Sequence, residues 1–135
     1  MQRSTTTLDA LLDRSILFSY ERSGFERHAR KFASDDDLDL RGKIALVTGA
    51  NSGVGLETTR QLTRQGAHVV MGCRRVEAGQ AAAATMAQEK GSTEVIALDL
   101  GNLESVRAFA RSFLEKHDRL DALVNNAGIM TTAEG

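Results

Sequence analysis

Residues 43–55 read Lys-Ile-Ala-Leu-Val-Thr-Gly-Ala-Asn-Ser-Gly-Val-Gly, and no other stretch narrows the choice of fold so far. A short apolar run over 44–47 stops at Thr48, glycines follow at Gly49, Gly53 and Gly55, and a helical pattern covers 54–65. A buried strand that feeds a glycine-rich turn and then a helix forms a cradle for phosphate. The turn must bend tightly, side chains there would hold the backbone away from a pyrophosphate, and the new helix offers unpaired N–H groups and its positive dipole end. The pattern therefore points to a dinucleotide, although a glycine-containing turn between strand and helix also occurs without any ligand.

The spacing is G-x-x-x-G-x-G, not the G-x-G-x-x-G fingerprint, and no Lys-Ser or Lys-Thr follows the last glycine as a P-loop requires. Two further motifs stand at the ends of apolar runs. Asn125-Asn126-Ala127-Gly128 follows Leu123-Val124, and Asp99-Leu100 follows the run over 95–98. With Thr48 ahead of the glycines, the three motifs in this order resemble those of the short-chain dehydrogenase/reductase family, over residues 41–130. The segment 19–32 resembles the leader of a subgroup, the member 12-like dehydrogenase/reductases, close to the retinol dehydrogenase branch.

From residue 41 onward strands and helices alternate. Strands are expected over 43–48, 68–72, 95–98 and 122–125, and helices over 54–65, 76–90 and 103–116. Gly66 and Gly91 are expected to stop the first two helices, and Gly101 or Asn102 to open the third, with Glu104 in its first turn. Continuous apolar strands separated by helices imply an α/β fold, a parallel sheet buried on both faces. Right-handed crossovers make it a three-layer Rossmann-type sheet of strand order 3-2-1-4 with ligands at the carboxyl ends of the strands. The last strand is expected to be an open edge.

The near balance of 17 basic and 18 acidic residues argues against nucleic acid as a partner. The lone Cys73 cannot form an internal disulfide, which favours a reducing, cytoplasmic setting. No apolar run approaches the about 20 residues of a transmembrane span, and no secretory signal is present. The chain divides near residue 40. Leu8, Leu11, Leu12, Ile16, Leu17 and Tyr20 share one face of an expected leader helix, followed by the acidic linker Asp35-Asp36-Asp37-Leu38-Asp39. Packing of that helix on the domain or a partner is the favoured reading; a membrane-peripheral helix or a mitochondrial leader is the alternative. The division is thus a leader over 1–40 and a cofactor half-domain over 41–135.

The resemblance implies roles for individual residues. Gly49, Gly53 and Gly55 shape the turn, Asn51, Ser52 and Val54 stand beside the phosphates, and Asp99 with Leu100 meets the adenine. Asn126, Ala127 and Gly128 line the ribose and nicotinamide side, while Asn125 braces the sheet. An NAD site carries an acidic residue about 20 positions past the glycine turn. Here the second strand ends instead in Gly72-Cys73-Arg74-Arg75. Two guanidinium groups suit a 2′-phosphate, so NADP(H) is expected and NAD(H) is the less favoured cofactor. Cys73 is read as a surface or packing residue, with a reactive thiol beside Arg74 and Arg75 as the alternative. His28, His68 and His117 are scattered, and no metal site is expected.

The family's chemistry uses a Ser and a Tyr-x-x-x-Lys pair. The single tyrosine of this sequence, Tyr20, is followed four residues later by Gly24, so no catalytic residue is assigned. Two readings follow. One is the dinucleotide-binding part of an NADP(H)-dependent oxidoreductase whose alcohol or carbonyl substrate is met only in a longer chain. The other is a non-catalytic half-domain that pairs with a full-length relative; homo-oligomerisation is open in either case.

Overall fold

The structure, a computed structural model, describes residues 38–128. The expected leader helix and the first three aspartates of the acidic run lie outside the described residues. Four strands and three helices alternate: β1 Ile44–Thr48, α1 Gly53–Arg64, β2 His68–Cys73, α2 Val76–Ala84, β3 Ser92–Ala97, α3 Leu103–Lys116 and β4 Ala122–Val124. The strands form one parallel sheet in the order β3-β2-β1-β4, as the alternation implied. Its register aligns Ile44 with His68 and Thr48 with Gly72, then His68 with Ser92 and Cys73 with Ala97, and Val47 with Val124.

Side chains alternate across the sheet, and the two faces make two cores. Val47, Val69, Met71 and Cys73 point toward α1 and α2, where Ala82 and Met86 complete a buried cluster. Leu46 and Val70 point the other way and meet Leu98, Phe109 and Phe113. Burying each phenylalanine contributes about 1.5–3 kcal/mol, and the two fall four residues apart on one face of α3. Helix α1 buries Thr59 and Thr63 rather than large apolar groups. Each hydroxyl donates to the carbonyl four residues back, Thr59 to Gly55 at 2.8 Å and Thr63 to Thr59 at 2.7 Å. These bonds make burial of the hydroxyls tolerable without any partner outside the helix.

Burial on both faces holds for β1 and β2 but not for the outer strands. Every β3 residue is exposed or half-buried, and in β4 Leu123 is 52% exposed. Among the described residues β4 pairs only with β1 and so is an edge, as anticipated. No helix of the described residues is long and apolar enough to cross a membrane.

The largest departure from expectation is α2, which ends at Ala84 rather than at residue 90. The Thr85 hydroxyl donates to Ala82 O at 2.7 Å, beside the bond from its own N–H to the same oxygen. Met86 N then bonds Ala83 O at 2.9 Å. The backbone has tightened from four-residue to three-residue turns, which swings Met86 inward to 2% exposure. Helical propensity in the alanine run is overridden by this core contact. Strand β3 also begins three residues earlier than its apolar run, because pairing with β2 satisfies the polar residues 92–94. The other boundaries move by one residue, and α3 matches throughout. Its N-cap is Asn102, whose Oδ1 accepts from Glu104 N at 2.9 Å.

Candidate functional site

At the carboxyl end of the sheet, β1 and β4 close on each other through Thr48 and Asn126. The Thr48 Oγ1, 4% exposed, accepts from the N–H of Asn126 at 3.1 Å and of Ala127 at 3.0 Å. Asn126 Nδ2 donates to Thr48 O at 3.1 Å and Gly49 O at 3.3 Å. The bracing expected of Asn125 therefore falls to Asn126, because Asn126 is half-buried over the turn and Asn125 is exposed. Thr48, known from sequence as the residue ahead of the glycines, is a positioning residue whose hydroxyl ties β1 to the loop after β4.

The glycines have different jobs. Gly55 is buried, and a Cβ there would lie 2.4 Å from both Asn126 Nδ2 and Gly49 O, so the close approach of helix to turn requires glycine. Gly49 has φ +66, and a Cβ on it would sit 3.0 Å from Ala127 Cα. Ser52 is the N-cap of α1 by backbone geometry, with no side-chain cap bond. The first N–H groups of a helix lack intrahelical acceptors, and no acidic residue stands in the first turn to compete for them. The end of α1 is thus free to receive an anion.

An open cleft of about 400 Å³ lies over this end of the sheet. It gathers Gly49, Asn51 and Ser52 from the turn, Arg74 and Arg75 from the end of β2, and Asp99 and Leu100 after β3. Asn126, Ala127 and Gly128 close it on the β4 side. Thr48, Gly72 and Leu98 also line it, and no site role was assigned to them from sequence. Gly53, Val54 and Gly55 do not line it: Val54 is 76% exposed to solvent, and Gly55 is buried against Gly49 O and Asn126. Arg74 and Arg75 are exposed, and their side chains make no hydrogen bond or ion pair among the described residues. The Asp99 Oδ1 accepts from Gly101 N at 2.9 Å, and Asp99 N donates to Ser105 Oγ at 3.0 Å. These bonds fix the carboxylate at the lip of the cleft.

Cys73 does not behave as a reactive thiol. It is fully buried in the core under α2, and burial pushes the thiol up, outweighing the bonds from the Ala50 and Asn51 backbone that act the other way. The histidines are not all scattered either. His68 and His117 come together with Glu94 at the opposite end of the sheet, all three ligand atoms within 4.8 Å of one another.

A parallel sheet of order 3-2-1-4 with a glycine turn, two free arginines and an Asn-Ala-Gly loop around one cleft defines a Rossmann-type nucleotide-binding fold. The short-chain dehydrogenase family model matches residues 43–135, and the chain belongs to that family, in its retinol dehydrogenase-like branch. Human dehydrogenase/reductase SDR family member 13 is 57% identical over 93 residues, which are 67% of this chain and 25% of that protein. Bovine retinol dehydrogenase 12 is 44% identical over 96 residues, 70% of this chain and 30% of its own. The chain thus spans between a quarter and a third of these curated relatives. Among solved structures, a metagenomic short-chain oxidoreductase in complex with NADP is 41% identical with TM-score 0.63, over 67% of this chain and 41% of that one. The L-sorbose reductase of Gluconobacter frateurii, complexed with NADPH and L-sorbose, is 32% identical with TM-score 0.65, over 73% and 39%.

Proposed function

We propose that the chain is the NADP(H)-binding part of a short-chain oxidoreductase that moves hydride between the nicotinamide and an alcohol or carbonyl compound. The observation that carries this reading is the pair Arg74 and Arg75. They stand unpaired at the end of β2, in the same cleft as the glycine turn. In a site of this fold that position meets the adenosine ribose. A guanidinium there grips a 2′-phosphate with charge-assisted bonds, whereas NAD would find no carboxylate for its ribose hydroxyls. The turn and the α1 N-terminus receive the pyrophosphate, and Asp99 stands where it can accept from the adenine amino group. The Ala127-Gly128 backbone flanks the nicotinamide ribose. The bound cofactor supplies the hydride; this chain's residues hold and orient it. The relatives complexed with NADP and NADPH favour the same cofactor. Proton transfer to the substrate falls to a Tyr-x-x-x-Lys pair, which this sequence does not contain.

Calorimetric titration with NADPH and NADH is the direct test. Wild-type protein should bind NADPH in preference. A charged hydrogen bond contributes about 1.5–3 kcal/mol, so Arg74→Ala should weaken NADPH by roughly 10- to 100-fold and leave NADH nearly unchanged. Equal loss of both cofactors, or preferential binding of NADH by the wild type, would overturn the assignment.

A further inference from the structure

We propose that His68, Glu94 and His117 form a zinc-binding site at the amino end of the sheet, opposite the cofactor cleft. His68 opens β2, Glu94 lies on β3 and His117 follows the last turn of α3. The parallel register sets His68 beside Ser92. Residues 68 and 94 therefore point to the same face as Val70 and Ile96, the face that α3 covers. That face holds leucine, valine, isoleucine and phenylalanine elsewhere, so two histidines and a carboxylate gathered there call for an explanation.

The spacing suits a first-row cation. His117 Nε2 lies 2.9 Å and His68 Nε2 3.7 Å from the same Glu94 oxygen, Oε2. Zinc bonds to nitrogen and oxygen of about 2.0–2.2 Å in a tetrahedron put neighbouring ligand atoms about 3.3 Å apart. The three ligand atoms lie within 4.8 Å of one another, and side-chain rotation would draw them onto one ion. His68 Nδ1 lies 2.7 Å from Ser92 Oγ. A proton on Nδ1 shared with that hydroxyl leaves a lone pair on Nε2, the arrangement a metal-bound histidine needs. The Nε2 atom is buried and has no hydrogen-bond partner, the only such side-chain atom among the described residues. Unpaired buried polar atoms cost stability, and a cation would satisfy this one. The residues are half-buried, 29%, 20% and 12% exposed at the side chain for His68, Glu94 and His117. A fourth position therefore stays open to water, as in sites with three protein ligands. An imidazole–imidazole–carboxylate set suits zinc among the available divalent cations.

The test is a zinc titration of the whole chain, freed of metal, against a chromophoric chelator. One equivalent should bind, and His68→Gln, Glu94→Gln and His117→Gln should each weaken it at least tenfold. His28→Gln, which removes the third histidine of the chain, should have no effect. Circular dichroism checks that each variant keeps its helices. Lys116→Met is a probe that spares all three ligands: it removes an ammonium ion-paired with the other Glu94 oxygen and should tighten zinc by about two- to fivefold, the scale of an exposed charge pair. Cobalt in place of zinc should give the intense visible absorption of a four-coordinate ion. No saturable binding, weaker binding by Lys116→Met, or a loss that follows His28→Gln would each overturn the proposal.

Discussion

The two ends of this sheet are built by different means. At the carboxyl end, the close contacts are all made to backbone by neutral groups: Gly55 against Gly49 O, Asn126 Nδ2 on two carbonyls, Thr48 Oγ1 on two N–H groups. The charged side chains there, Arg74 and Arg75, are left free. At the amino end the charged groups engage one another. Glu94 meets Lys116 and His117, and Asp121 meets Lys43, Arg119 and the Ile44 N–H. On the proposed function, the end that receives an anionic ligand keeps its cations unpaired, and the end that closes the fold pairs them. Substitutions can show whether this division is real.

The largest effect is expected at Gly55. Gly55→Ala places a Cβ where backbone and Asn126 already stand. It should destabilise the protein by about 3 kcal/mol, the upper range for forced overpacking, and abolish dinucleotide binding as the turn opens. Gly53→Ala is the contrasting change. Its φ of +56 disfavours a side chain, but nothing lies within 4 Å, so the cost should be only the about 1–2 kcal/mol of the left-handed conformation. Urea denaturation of both variants separates them. If Gly53→Ala proves the more damaging, the carboxyl end is limited by conformation rather than by close approach.

Asn126→Ala comes next. It leaves Thr48 O and Gly49 O without the Nδ2 donor and should cost about 1–2 kcal/mol, at the lower end for partly buried groups. Its loss of NADPH affinity should exceed what unfolding explains, because the same amide fixes the Ala127-Gly128 loop. Titration at a temperature far below the melting transition reads that excess. Unchanged affinity would mean that the loop is held by Thr48 alone.

The contrast between the ends also explains what the sequence revealed. The cradle is written in consecutive residues, 48–55, because a strand, a turn and a helix start adjoin in the chain. Strand order followed from the alternation and from handedness rules. Asp99 and the Asn126-Ala127-Gly128 loop were legible for the same reason: each ends an apolar run. The histidine–glutamate cluster was not, since its members come from three elements separated by 23 to 49 positions, and only the register of β2 with β3 and the length of α3 bring them together. Helix α2 misled because an alanine run carries no mark of the point where Met86 must turn inward. The opposed roles of Asn125 and Asn126 depend on which side chain faces the turn, and adjacent identical residues hold no clue to that.

The smallest effect is the most discriminating for the amino end. The fold lowers the Glu94 carboxyl below its ordinary value of 4.5. A depressed carboxylate adds stability that is complete above the unfolded value and fades as pH falls through the folded one. Stability should therefore decline as pH falls from the ordinary carboxylate range toward the lowered folded values, with Glu94 one contributor; Asp121, lowered first by its bond from Ile44 N–H, is another. Glu94→Gln, measured with chelator present so that metal plays no part, should make this acid limb shallower by a fraction of a kcal/mol, the range of solvent-screened pairs. Asp121 stays in both proteins and cancels in the difference. Arg74→Ala, at the other end, removes a cation with no carboxylate partner among the described residues and should leave the limb parallel to wild type. An acid limb altered by Arg74→Ala and indifferent to Glu94→Gln would reverse the assignment of paired and unpaired ends.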